Sequence, residues 1–298
     1  MSILVVAAAC AENVPAGTGD TQDRLKVVTT IYPLEYFAQR IGSDAVLVVN
    51  ILPQGAEPHS FEPAAGALRQ LAASDVVVAN GLGLEPWLEG AIRAMDGSDR
   101  VVVRALDESE VTGATDSGEA LDPHAWLDPV LAMAMVRNIR DALATADPDR
   151  AGTYAANAGT LLEEMAALHQ GYVDGLADCR HRTFVTAHAA FGYLAKRYGL
   201  EQLAVSGLSP EAVPSPAGLA RLADTVQALG LAHVLVEPVT NPSLAETLAR
   251  EVGLEILTLD PLSSLSDDQD AAGKEYPALM EKNLQVLRTA LACERADD

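Results

Sequence analysis

Pro148-Asp-Arg-Ala-Gly-Thr-Tyr154-Ala-Ala-Asn-Ala-Gly-Thr-Leu161-Leu162-Glu-Glu-Met165-Ala-Ala-Leu168-His169-Gln-Gly-Tyr-Val-Asp-Gly-Leu-Ala177 reads as one unbroken helix. Tyr154, Leu161, Leu162, Met165 and Leu168 recur near helical spacing, and the glycines weaken the period without breaking it. The stretch is long for a globular helix. What lies on either side explains the length, because each side carries its own strand–helix alternation. The helix is therefore expected to be a rigid spine between two lobes.

Working back from the spine, Lys26-Val-Val-Thr-Thr-Ile31, Val46–Leu52, Asp75-Val-Val-Val-Ala79 and Arg100-Val-Val-Val-Arg104 read as strands. Helices are expected at Pro33–Ile41, closed by Gly42, at Ala64–Ala73 and from Trp87 to Met95. Pro129 to Ala146 forms a further helix, with Asp128 as its N-cap. Gly81 and Gly83 lack the rest of a phosphate-loop motif and read as turn glycines. Beyond the spine the pattern repeats. Strands are expected at Arg182–Ala187, Gln202–Ser206, His233–Glu237 and Glu255–Leu259, and helices at Phe191–Tyr198, Ala217–Leu229, Pro242–Val252 and Tyr276–Ala292. The fold class is α/β: two similar lobes, each a parallel sheet flanked by helices, joined by one long rigid helix. The expected division is a signal remnant and tether at 1–24, an N-terminal lobe at 25–147, the spine at 148–178 and a C-terminal lobe at 179–298.

Composition narrows the function. A net charge of −22 argues against a nucleic-acid partner, and no apolar run is long enough to span a bilayer. Met1 to Cys10 resembles the end of a secretory signal and a bacterial lipoprotein box, with Ala7 where a leucine is usual. No basic stretch precedes it, which leaves room for a start further upstream. Two readings stand there: a lipid anchor at Cys10, or a disordered terminus without one. The only contact with a membrane is expected through such an anchor. With Cys10 set aside, Cys179 and Cys293 remain. In an oxidising compartment they are expected to form a disulfide, the alternative being two separate buried thiols. Residues 106–123 carry Asp107, Glu108, Glu110, Asp116, Glu119 and Asp122 without a basic residue, and read first as a solvated loop.

Candidate ligands sit where an α/β protein places its sites. His59 and His124 follow first-lobe strands, while His188 and Asp260 come immediately after second-lobe strands. Ligands of open α/β sheets bind beyond the carboxyl ends of the strands, so a cleft between the lobes would bring these four residues together. Three imidazoles and a carboxylate suit tetrahedral zinc better than oxygen-preferring manganese. Prolines beside His59, His124 and Asp260 restrict the backbone and favour a preorganised site. His169, His181 and His233 are assigned to ordinary structural roles. Glu57, Glu62, Glu211 and Glu237 are equally groups that orient the imidazoles and surface carboxylates or caps.

Four stretches then carry a resemblance. Pro53-Gln-Gly-Ala-Glu-Pro-His59-Ser-Phe-Glu-Pro63, Asp122-Pro-His124-Ala-Trp-Leu-Asp-Pro129, Thr186-Ala-His188-Ala-Ala-Phe-Gly-Tyr193 and Leu259-Asp-Pro-Leu262 resemble the substrate-binding proteins of zinc and manganese ABC transporters. The resemblance spans residues 25–298 in order. It implies two α/β lobes joined by a rigid helix, with the metal held in the interlobe cleft by His59, His124, His188 and Asp260. It implies no catalysis, but capture of the metal outside the cell membrane, in the periplasm or at the membrane's outer face. Expected partners are the zinc ion, the transporter's membrane permease and a metallochaperone, and the chain is expected to be a monomer. Manganese members typically have a carboxylate where this chain has His188, so zinc is the expected cargo and manganese the alternative. The histidine-rich acidic loop common among zinc members is short here and lacks histidine. A rival class is a zinc hydrolase, with three histidines holding a water and Asp260 or Glu62 as base, although no His-Glu-x-x-His helix is present. Metal-dependent adhesion is a third class, with nothing in the sequence that supports it specifically.

Overall fold

Runs of valine build the first sheet and mixed apolar strands the second. A computed structural model describes residues 24–95, 99–111, 121–238, 242–266, 269 and 275–294. The tether with Cys10, and most of the acidic run before Leu121, lie outside the described residues. In the first lobe β1 (Leu25–Thr29), β2 (Val46–Asn50), β3 (Val76–Ala79) and β4 (Val101–Arg104) form a parallel sheet in the order β2-β1-β3-β4. In the second, β5 (Thr183–Thr186), β6 (Glu201–Ala204), β7 (His233–Val236) and β8 (Glu255–Thr258) repeat that arrangement as β6-β5-β7-β8. β3 is buried throughout, and β5 and β7 are buried in all but their first residue. That burial is what a parallel sheet covered by helices demands of its inner strands, and β-branched runs supply it. The chain reverses direction across the sheet between β1 and β3, and again between β5 and β7. Those two gaps are the switch points where α/β proteins place ligands.

The helices follow the sequence closely. They are α1 (Tyr32–Gly42), α2 (Ala65–Ala72), α3 (Leu88–Ala94), α4 (Pro129–Ala146), α5 (Ala151–Gly175), α6 (Gly192–Arg197), α7 (Pro216–Leu229), α8 (Ser243–Val252) and α9 (Tyr276–Ala290). The Asp128 carboxylate accepts the Val130 N–H at 2.9 Å and caps α4 as expected. One cap differs. The left-handed residue after α1 is Ser43, with φ 48°, while Gly42 stays helical. Gly42 is needed for space instead, since a Cβ there would fall 2.3 Å from both methyls of Val46. Gly81 and Gly83 take φ +84° in the turn after β3. The acidic run after β4 is more ordered at its start than a solvated loop. Asp107 and Glu110 cap a short 3-10 turn reciprocally, and Asn138 of α4 donates to Glu110.

Helix α5 is the spine, about 37 Å long at 1.5 Å per residue. Its first turn, Pro148–Arg150, is a separate 3-10 turn. The buried stripe is Tyr154, Ala158, Leu161, Met165, Leu168 and Tyr172, alternating steps of four and three residues. Leu162 sits on the stripe's edge, half-buried. The stripe faces α1, α4 and α9. Asn157 donates to the Ile41 carbonyl at 2.9 Å, Arg40 pairs with Glu164 at 2.6 Å, and the Tyr172 hydroxyl donates to the Met280 carbonyl at 2.7 Å.

One apolar core runs without a break from the first lobe through the spine into the second. Tyr276 of α9 packs against Tyr36 and Phe37 of α1, and its hydroxyl donates to the Trp126 carbonyl. Trp126, fully buried, donates its indole N–H to the Pro261 carbonyl at 2.6 Å. Tyr32 N donates to Ser263 O at 3.0 Å, and Gly55 N to Ser264 Oγ at 2.7 Å. Among the described residues, no helix is long and apolar enough to cross a membrane.

Cys179 and Cys293 form a disulfide, at an isolated bridge between the start of the second lobe and the end of α9. The bond closes a loop with a sequence separation of 114. Chain-entropy arguments put its contribution at about 5 kcal/mol. A Cys179→Ser/Cys293→Ser variant is expected to unfold at clearly lower denaturant than the oxidised native protein. Adding reductant should bring the native midpoint down to match it, and unchanged midpoints in both cases would refute the expectation.

Candidate metal centre

Three histidine rings meet where the lobes face each other. His59 Nε2 lies 3.0 Å from His124 Nε2, and His188 Nε2 lies 3.3 Å from the same atom. One ligand atom from each residue falls within 4.8 Å of the others. His124 and His188 are buried and His59 is half-buried. The ring centroids lie 4.9 to 6.1 Å apart and the rings are mutually tilted or edge-on, so the approach is between nitrogens and not a stack.

The local sequence explains how each ring is aimed. In Glu57-Pro58-His59 the glutamate side chain accepts the His59 main-chain N–H at 3.1 Å. In Asp122-Pro123-His124 the aspartate accepts the His124 N–H at 3.0 Å. Asp260-Pro261-Leu262 repeats the device, with Leu262 N donating to Asp260 Oδ1 at 2.8 Å. An acid followed by proline leaves the next residue's N–H as the first donor within reach, because proline has none and fixes φ. The prolines beside the predicted ligands thus build tight turns.

Two carboxylates set the ring tautomers. Asp122 Oδ1 accepts from His124 Nδ1 at 2.7 Å, and Glu237 Oε1 accepts from His188 Nδ1. An ionised carboxylate only accepts, so each Nδ1 must carry the proton and each Nε2 presents a lone pair. His188 lies two residues past the end of β5 and Glu237 directly follows β7, so the pair spans the second-lobe switch point. Burial lowers the His124 pKa from its ordinary value, against the opposing pull of Asp122. Burial, with His124 and His188 alongside, pulls His59 down to about 3. Ligation by imidazole requires the neutral ring, with a lone pair free for the cation. Tetrahedral zinc, with Zn–N of about 2.0–2.1 Å, separates its nitrogens by about 3.3 Å, close to the spacings found here.

Asp260 is buried and stands outside the three-histidine cluster. Its Oδ2 accepts from Gln269 Nε2 at 2.5 Å. Asn283 of α9 fixes its main chain from both sides, accepting from Asp260 N at 3.0 Å and donating to Asp260 O at 2.6 Å. Burial raises the Asp260 pKa from its ordinary value, with the bonds from Gln269 and Leu262 opposing. Of the four glutamates considered from sequence, Glu237 touches an imidazole and Glu57 holds the His59 turn, while Glu62 and Glu211 are exposed. His169 bonds the Tyr198 hydroxyl at 3.1 Å, His181 donates its main-chain N–H to Leu291 O at 3.0 Å, and His233 faces Glu255 at 3.7 Å. Asp122 and Asn283 had not been singled out as partners of the ligand residues. The spacing acid-Pro-His was visible for the first, and an asparagine on the apolar face of a helix for the second.

The sequence profile described as "Zinc-uptake complex component A periplasmic" matches residues 27–290. The chain belongs to this zinc-uptake component A family. Within it, the chain is 33% identical over 300 residues to the high-affinity zinc uptake system protein ZnuA of Bacillus subtilis, covering 96% of this chain and 94% of that protein. The zinc-binding lipoprotein AdcA of Streptococcus pneumoniae is 35% identical over 316 residues, 99% of this chain. The chain spans 63% of the length of AdcA. The Zn(II)-bound ZnuA-like domain of AdcA superposes with a TM-score of 0.77 at 37% identity, over 90% of this chain and 99% of the domain.

The shifted histidine carries a prediction. Unfolded, His59 titrates near about 6.5, so between there and about 3 the folded protein binds fewer protons than the unfolded chain. Stability of the metal-free protein therefore rises with pH across that window. The penalty is absent above about 6.5 and grows as pH falls. Denaturant midpoints of metal-free protein are expected to fall more steeply on acidification than those of His59→Asn, and parallel curves would contradict the assignment.

Proposed function

We propose that this protein captures Zn2+ outside the cytoplasmic membrane and delivers it to the permease of an ABC transporter, without catalysis. The observation that carries the reading is the convergence of three Nε2 atoms, 3.0 and 3.3 Å apart, with carboxylates holding two of the opposite ring nitrogens. Membership of a zinc-uptake family and the names of the relatives support it. In this reading His59, His124 and His188 supply three ligands. Asp260 supplies the fourth, its Oδ2 exchanging the Gln269 amide for zinc. A third imidazole where manganese would favour an oxygen ligand points to zinc as cargo.

A set of four protein ligands leaves no open position for a reactive water, which argues against the hydrolase class. The spine and the continuous core keep the lobes from swinging widely, so uptake and release proceed through local movement of the ligand loops. The finer expectations belong to the same proposal. They are a monomeric carrier, a metallochaperone as an additional partner, a lipid anchor at Cys10, and a division into lobes at 25–147 and 179–298 about the linker 148–178.

Competitive titration of the metal-free protein with Zn2+ and Mn2+ tests the reading. One zinc per chain, held in preference to manganese, is expected. Affinity should drop sharply in His124→Ala and His188→Ala and more modestly in Asp260→Asn. Preference for manganese, or zinc affinity indifferent to His188→Ala, would overturn it. So would turnover of ester or phosphate substrates by the zinc-loaded protein that disappears in His124→Ala.

A further inference from the structure

Asp122 lies at the seam between the lobes, and contacts from both lobes bear on it. Its Oδ1 receives two N–H groups of His124, the main-chain one at 3.0 Å and the ring Nδ1 at 2.7 Å. From the second lobe, the Tyr193 hydroxyl donates to its carbonyl at 3.0 Å. Its remaining oxygen, Oδ2, rests against Gly192, the first residue of α6. A Cβ on Gly192 would stand 2.9 Å from that oxygen, closer than a side chain tolerates. The backbone of Gly192 lies outside the left-handed region, so its lack of a side chain serves space and not conformation.

The atom a methyl group would strike is the tip of a side chain, which ordinarily yields at little cost to packing. This carboxylate cannot yield freely, because its other oxygen orients His124. Displacing Oδ2 turns Oδ1 with it, and the disturbance passes to the direction of the His124 lone pair. Partners that hold a ligand's outer nitrogen tune both its orientation and its basicity.

We propose that Gly192 and Asp122 act as an interlobe couple that positions His124: the bare Cα of Gly192 in the second lobe lets Asp122 in the first hold the imidazole with Nε2 facing the metal. The strength of a first-lobe ligand then depends on how α6 of the second lobe is seated. Asp122 and Gly192 are positioning residues, and neither touches the metal. The proposal rests on the zinc-binding reading.

The test compares Gly192→Ala, Asp122→Ala, Asp122→Asn, the double variant Gly192→Ala/Asp122→Ala, and His124→Ala. Zinc affinity is read by competition with a chromophoric chelator, coordination by the visible spectrum of the Co2+-loaded protein, and folding by thermal unfolding of the metal-free protein. Gly192→Ala is expected to weaken zinc roughly 10–100-fold, the range for loss of a partner that orients a ligand. It should shift the Co2+ spectrum while leaving the metal-free Tm within about 2 °C of native. Asp122→Ala should weaken zinc to a similar degree, and Asp122→Asn, which keeps an acceptor oxygen, should recover part of the loss. The double variant should bind no worse than Asp122→Ala alone, because the methyl then has no carboxylate to displace. Native affinity in Gly192→Ala overturns the proposal. Losses that multiply in the double variant, or a fall in the metal-free Tm in proportion to the lost affinity, overturn it as well. If His124→Ala binds zinc as the native protein does, the metal reading itself fails. If His124→Ala loses zinc while Gly192→Ala does not, only the interlobe couple fails.

Discussion

Three imidazoles converging on one point, with His124 Nε2 3.0 Å from that of His59 and 3.3 Å from that of His188, are the constraint on which the rest of this structure turns. Neutral imidazoles with their lone pairs aimed at one point repel one another weakly, and a cation placed among them reverses the sign of the interaction. Protonating any one of them puts a charge beside the others, two of which are buried. Burial and the neighbouring rings hold His59 well below the usual imidazole range for that reason. Asp122 and Glu237 keep the Nδ1 protons of the other two on the far side of their rings. Remove those carboxylates and each ring is free to place its proton toward the centre.

Holding rings from both lobes at such spacings requires that the lobes themselves not drift. The aromatic and aliphatic core supplies that rigidity, continuing from α1 and α4 through the spine to α9. Trp126 is central to it. It follows His124 by two residues, its ring lies beside that imidazole, and its indole N–H reaches the carbonyl of Pro261, next to Asp260. The Asp128–Arg197 ion pair, 2.8 Å long, crosses the same seam beside the cap of α4. Its net contribution is small next to that of the core, since Arg197 is partly exposed and burial raises the Asp128 pKa. The seam therefore owes its stiffness to packing and to hydrogen bonds from buried tyrosine and tryptophan more than to charge.

Much of this was legible in the chain. The valine runs, the acid-proline pairs and the long amphipathic stretch gave the strands and helices in outline, the capped start of α4 and the spine. Boundaries moved by one to three residues, and Ser43 took the positive φ expected of Gly42, while Gly42 serves space against Val46. His59, His124 and His188 were reachable because each lies in a loop after a strand, on the side of the sheet where α/β proteins bind ligands. The hydrogen-bond partners were harder to read. Glu237 was one of several equivalent glutamates until β5 and β7 became neighbours, and Asn283 lay on a helix far along the chain from Asp260.

The sequence by itself determined the elements, the two-lobed α/β plan and the residue types at the cleft, because periodicity, proline turns and strand-end histidines are local or nearly local properties. Only the tertiary structure decided which atoms meet. It turned three histidines from separate loops into a cluster and left Asp260 engaged with Gln269 and Leu262. It also placed the bare Cα of Gly192 against the carboxylate that orients His124. Those relations depend on contact distances fixed to a few tenths of an ångström between segments dozens of residues apart. Such distances are set by how the two lobes pack across the spine, and no local pattern in the chain encodes them.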